Sequence, residues 1–251
     1  MSPGEVISIA LAGLAAGTIN TVVGSGTLVT FPVLLAFGYA PVTANVSNTV
    51  GLVPGSVSGA VGYHRELAGQ RGRVVRLGSI SVLGGATGAV LLLVLPASAF
   101  KAIVPVFIAL ALVLIVLAPR LNQALLRHEH GRARKALILM PLAIYLTGVY
   151  GGYFGAAQGI LLLAILGSTL AQDLQRSNAL KNVLAGLVNG VAGVYFMLVA
   201  HVAWGPAGII AGSSILGAQL GARYGRRLPP RVLRAVIVIV GISAILRLLL
   251  T

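Results

Sequence analysis

The feature that most constrains this chain is an apolar stretch interrupted in the middle, which occurs twice. Residues 5–38 are apolar with the break Gly24-Ser25-Gly26 inside them, and residues 136–171 are apolar with Gly151-Gly152, Gly155 and Gln158-Gly159 inside them. At 1.5 Å per residue, the 34 residues of the first stretch make about 51 Å of helix. One bilayer crossing takes about 30 Å and two take about 60 Å. Each stretch is therefore expected to be two short helical elements that meet inside the membrane. Hydrocarbon offers no partner to a free backbone N–H or C=O, so irregular backbone persists there only where protein or a water-filled cavity surrounds it. The two breaks mark the inside of the molecule.

Composition shows that the solvent is a bilayer. Of 251 residues, 57% are hydrophobic and only 9% are charged, against about a quarter charged in a soluble domain. The net charge of +14 would point to nucleic acid in a soluble protein. Here it is read as loop charge that sets topology, so the expected partner is the lipid bilayer and not nucleic acid. The first residues, Met1-Ser2-Pro3-Gly4-Glu5, lack the basic segment that opens a signal peptide. With no Cys in the chain, disulfides, thiolate metal sites and Cys nucleophiles are excluded.

The two broken stretches belong to a longer repeat. A shift of 133 residues places Gly159 on Gly26 and Asn178 on Asn45, and a shift of 134 places Asn182 on Asn48 and Gly193 on Gly59. In each copy the broken pair is followed by an asparagine-led span (44–63 and 178–199) and then two more spans (77–95 and 100–118; 203–222 and 231–249). The expected organisation is an N-terminal repeat over 1–118, a basic cytoplasmic linker over 119–135 and a C-terminal repeat over 136–251. The loops after residues 63, 118 and 222 hold 4, 5 and 5 of the 18 Lys and Arg residues, whereas Lys101 and Arg247 stand alone on the other side. Basic loops face the cytoplasm, which puts both termini outside a cell inner membrane. The span at 44–63 then ends inside and its copy at 178–199 ends outside. The fold expected is an all-α polytopic membrane protein of two inverted-topology repeats, about five helical elements each, with broken or short helices at 5–38 and 136–171. Such a fold supports alternating access to a central site.

Candidate binding residues line the breaks and the asparagine-led helices. In the first half they are Asn20, Gly24, Ser25, Gly26, Thr27, Asn45, Asn48 and Thr49; in the second, Gly155, Gln158, Gly159, Asn178, Lys181 and Asn182. Asn45, Asn48 and Thr49 share one helix face, as do Asn178, Lys181 and Asn182. Both faces lie near helix N-termini, which favour an anion. The plainer alternative is that these amides bond neighbouring helices. Lys181 within a span costs about 2.5–3.5 kcal/mol on insertion scales. It is either a counter-charge for an anion or a side chain that snorkels to water. The four acids Glu5, Glu66, Glu129 and Asp173 sit near span ends or in loops, which argues against a carboxylate proton relay or a carboxylate cation site. His64, His128, His130 and His201 also fall in loops or at span ends, so no catalytic group, metal or cofactor is expected, and the chain is read as no enzyme.

The motif Gly17-Thr18-Ile19-Asn20 with Gly24-Ser25-Gly26, Phe31-Pro32, Ala44-Asn45 and Asn48-Thr49 resembles the sulfite exporter TauE/SafE family, also called the 4-toluene sulfonate uptake permease family. So do the run from Tyr150 to Gly159 and Asn178-Ala179-Leu180-Lys181-Asn182. The resemblance implies a multipass inner-membrane transporter of small sulfur-containing or organic anions, such as sulfite, sulfonates or sulfoacetate. The combined expectation is a secondary transporter of a small anion, with Asn45, Asn48, Asn178 and Asn182 on its oxygens and Lys181 supplying charge. The alternative is an anion channel with the same central site.

Overall fold

The computed structural model of the chain describes the backbone of residues 1–127, 133–170 and 172–224, with residues 239 and 242, and the side chains of these residues except 118–138. The stretch His128-Glu129-His130 lies outside the described residues. So do Arg226, Arg227 and, apart from residues 239 and 242, the span expected at 231–249. Among the described residues the chain forms nine helices and no strand: α1 (Pro3–Val22), α2 (Thr27–Ala36), α3 (Pro41–Gly62), α4 (Arg71–Val94), α5 (Ala97–Arg127), α6 (Ala133–Tyr153), α7 (Gln158–Thr169), α8 (Leu174–Val199) and α9 (Trp204–Tyr224).

Local chemistry sets the helix starts. Ser2 caps α1 by accepting from Glu5 N, and Asp173 caps α8 by accepting from Arg176 N. Pro3 and Pro41 open α1 and α3, where the missing N–H costs nothing. Among the described residues four helices are long and apolar enough to cross a membrane: Pro3–Val22, Arg71–Val94, Ala97–Leu117 and Leu174–Val199. As expected, the two interrupted stretches are pairs of elements, α1 with α2 and α6 with α7. The second members have 10 and 12 residues, about 15 and 18 Å of helix, or roughly half a bilayer.

Large apolar side chains such as Leu11, Leu83, Val94 and Leu198 are exposed. Water would penalise such a surface; lipid solvates it. Where helices meet, glycine lets backbones touch, as in small-residue packing between membrane helices. Gly84 and Gly88 of α4 face Tyr145 O and Val149 O of α6, so close that a Cβ would stand 2.3 and 2.0 Å from those oxygens. Gly217 and Gly221 of α9 meet Leu14 O and Thr18 O of α1 in the same way, at 2.0 and 2.8 Å. The pairings also exchange between halves. With α1–α4 set against α6–α9, α1 packs on α9 as α6 packs on α4, α3 packs on α9 as α8 packs on α4, and α3 and α8 pack on each other.

Candidate functional site

The two helix breaks share one backbone solution. At the end of α1, Val23 N and Gly24 N both donate to Ile19 O, at 2.7 and 3.0 Å. At the end of α6, Phe154 N and Gly155 N both donate to Tyr150 O, at 2.9 and 3.0 Å. Gly24 and Gly155 take positive φ, 87° and 76°, a conformation cheap only for glycine. Gly155 stands 131 residues after Gly24, whereas the asparagines repeat at 133. The difference lies in α7, which is two residues longer than α2. Consequently Gly159 meets Gly24 rather than standing as the counterpart of Gly26. Gly159 N donates to Gly24 O at 3.0 Å, and a Cβ on Gly159 would lie 2.4 Å from Gly24 Cα. The breaks touch back to back.

A helix that ends inside a membrane leaves carbonyls that need donors, and the polar face of α8 supplies them to α1. Lys181 Nζ donates to Asn20 O at 2.9 Å and to Thr21 O at 3.2 Å. Asn178 and Asn182 each donate through Nδ2 to Thr21 O at 3.2 Å. Lys181 is 0% exposed, so it does not snorkel; its ammonium sits at the negative end of the α1 dipole. In the other half, Asn45 Nδ2 of α3 donates to Tyr153 O, at the end of α6, at 2.9 Å. Each asparagine-led helix thus reaches across to the broken helix of the opposite half.

The remaining expected residues divide. Asn48 faces α2 of its own half: its Nδ2 donates to Thr27 Oγ1 at 3.2 Å, and its Oδ1 accepts a hydrogen bond from Thr30 Oγ1. Thr49 turns back to Asn45 O within its own helix, and Gly26 is pressed against Ala16 O of α1. Asn20 enters through its carbonyl. Ser25 Oγ, Gln158 Nε2, Asn45 Oδ1 and Asn178 Oδ1 are buried with no hydrogen-bond partner among the described residues. At this centre the carbonyl end of α1 is covered by amides and an ammonium and that of α6 by one amide. The N-termini of α2 and α7 have no side-chain cap, and the first amides of α7 go to Gly155 O, Gly24 O and Ala157 O. The Ser25 hydroxyl and the Gln158 NH2 beside them have no partner among the described residues.

Two walls flank the centre. Phe31, Phe100, Phe107, Tyr150, Tyr153 and Phe154 pack around the second break, edge to face or tilted except for the stacked pair Phe107 and Phe154, and the Tyr150 hydroxyl donates to Ala156 O. On the other side an almost wholly apolar groove of about 730 Å³ runs between α3, α4 and α8, with Asn182 in its wall. Sequence reasoning missed Thr21, Thr30 and the Tyr153 carbonyl. Two of these act through main-chain oxygens, which carry no side-chain signature; the available signal was their place just before each glycine break.

A family model described as Sulfite exporter TauE/SafE matches residues 9–248. The chain is 28% identical over 242 residues to a Sinorhizobium sp. protein named Probable membrane transporter protein ORF9, covering 95% of this chain and 90% of that one. It is 25% identical over 231 residues to Probable membrane transporter protein YfcA of Escherichia coli strain K12, covering 90% and 83%. A Probable membrane transporter protein of Haemophilus influenzae is 28% identical over 235 residues, with 90% and 88% covered. No solved structure matches.

Proposed function

We propose that this chain, which belongs to the sulfite exporter TauE/SafE family and is a membrane transporter, is a secondary transporter that carries a small anion by alternating access, sulfite or an organosulfonate being the substrates its family points to. The observation that supports this is the electrostatic asymmetry where the breaks meet. The uncapped N-termini of α2 and α7 lie within a few residues of the Gly24–Gly159 contact, and Lys181 Cδ is 3.0 Å from where a Gly159 Cβ would be. Helix N-termini, the Ser25 hydroxyl, the Gln158 amide and the neighbouring ammonium would all favour negative charge. In this reading 1–118 and 136–251 are inverted repeats joined by 119–135. The basic loops lie in the cytoplasm beneath the inner membrane, and both termini lie outside. Exchange of exposure between the two halves moves the anion.

The test is thermal unfolding of the purified protein in detergent against sulfite, sulfate, thiosulfate, taurine, sulfoacetate and acetate. A ligand of the folded state adds about 2.7 kcal/mol at a hundredfold excess over Kd. The expected result is a saturable rise for one sulfur oxyanion or sulfonate, abolished in Gln158→Leu and weakened in Ser25→Ala. Stabilisation by neutral solutes in place of every anion would refute the anion reading. Counterflow in proteoliposomes separates the carrier from an anion channel, which shows none.

A further inference from the structure

Two carbonyl ends of broken helices lie inside this protein, one in each half, and they are treated differently. At the end of α1 a tethered cation is in place: Lys181 Nζ contacts Asn20 O and Thr21 O at 2.9 and 3.2 Å. In the first half the residue 133 positions before Lys181 is Asn48, and its amide is engaged with Thr27 and Thr30 of α2. The end of α6 is met by Asn45 through a single 2.9 Å bond from Nδ2 to Tyr153 O. Because that acceptor is a carbonyl, the amide orientation is fixed by its partner. Asn45 Oδ1 is thereby left buried, in a residue 0% exposed, with no donor among the described residues. A buried acceptor without a donor is costly, and here it stands at the negative end of a helix dipole.

Amide and main-chain oxygens without a carboxylate are the donor set of a monovalent alkali cation. Divalent ions of this hardness call for carboxylates, and the described acids, Glu5, Glu66 and Asp173, lie at helix starts or in loops. Half-helix C-termini and unwound carbonyls hold Na⁺ in other transporters. We infer that Asn45 Oδ1 and the carbonyl end of α6 bind Na⁺, and that Lys181 is the built-in cation at the matching end of α1. The protein then holds one sodium site where its repeat would otherwise make two. This assigns a coupling ion and does not rest on the anion reading, because its test uses Na⁺ alone.

The experiment is equilibrium binding of ²²Na⁺ to the purified full-length protein, with thermal unfolding in NaCl against choline chloride at matched ionic strength. The expected result is one Na⁺ per chain, displaced by unlabelled Na⁺ and not by choline, with a saturable Na⁺-specific rise in midpoint. Asn45→Leu loses at least tenfold in apparent Na⁺ affinity. Asn178→Leu, which removes the mirror-related bond beside Lys181, keeps it. Lys181→Asn raises the stoichiometry toward two. If Asn45→Leu fails to fold, the wild-type stoichiometry and the Asn178→Leu variant still decide. Absence of Na⁺-specific binding in the wild type, or equal loss in Asn178→Leu, overturns the inference and leaves water as the occupant beside Asn45.

Discussion

The end of α1 and the end of α6 pose the same backbone problem, and the protein solves it twice in unequal ways. Both helices stop at a positive-φ glycine, and both send two amides to the carbonyl five residues before that glycine. Around α1 three side chains of α8 converge, one of them charged. Around α6 there is one amide and a ring of aromatics. The two breaks share a backbone geometry, whereas the side-chain chemistry around each broken end differs. The charged end is the more heavily bonded one in this comparison: Lys181, Asn178 and Asn182 tie α8 to the end of α1.

The comparison breaks most completely where the two ends touch. Gly24→Ala forces a side chain onto a φ of 87° and puts a Cβ 2.3 Å from Gly159 Cα. Left-handed backbone costs a non-glycine residue about 1–2 kcal/mol, and overpacking adds about 1–3 kcal/mol. The expected outcome is loss of about 3 kcal/mol, seen as a large fall in the thermal midpoint in detergent, with Gly159→Ala not far behind. Gly190→Ala, on α8 with open space around it, should be neutral or slightly stabilising. An unchanged midpoint in Gly24→Ala would show that the breaks do not pack back to back.

Next in size is the charged end. Lys181→Met takes its donor from Asn20 O, while Thr21 O keeps Asn178 and Asn182, and an unsatisfied buried group costs about 1–3 kcal/mol. Thermal unfolding should show this loss, and Lys181→Gln, which keeps a donor, should recover part of it. If Met and Gln behave alike, the ammonium is not what holds α1.

Much of this was legible in the sequence, and the limits have physical causes. The breaks could be read because apolar length is a ruler: 34 residues fit neither one crossing nor two. The two polar faces could be read because helical periodicity places Asn45 with Asn48 and Asn178 with Lys181. Their partners could not, since Thr21 O and Tyr153 O belong to the main chain. The register of the breaks was misplaced by two residues because the extra length of α7 lies inside an apolar run, where nothing marks an insertion. The paired seams Gly84 with Gly88 and Gly217 with Gly221 were present but unreadable: among 33 glycines, a four-residue spacing recurs by chance.

The smallest effect lies at the far ends of the broken pairs, where the halves again differ. Tyr39, in the α2–α3 connection, donates to Glu5 Oε1 at 2.8 Å and closes the first pair on itself. The residue 133 positions on is Gln172, which instead accepts from Arg73 Nη1 at 2.6 Å and ties the second pair to α4. The Tyr39 phenol is held above its ordinary 10.0, chiefly by burial and then by its bond to the Glu5 carboxylate. A raised folded-state pKa means that the neutral phenol stabilises the fold. That contribution is whole below the unfolded pKa and fades as pH rises through the folded one. Tyr39→Phe should therefore lower the midpoint slightly at about pH 8 and flatten its decline toward about pH 11. Arg73→Ala, which cuts the other tie, should leave that alkaline slope unchanged, because no phenol takes part in it. An equal alkaline decline in wild type and Tyr39→Phe would remove Tyr39 as the clasp and leave the two outer ends alike.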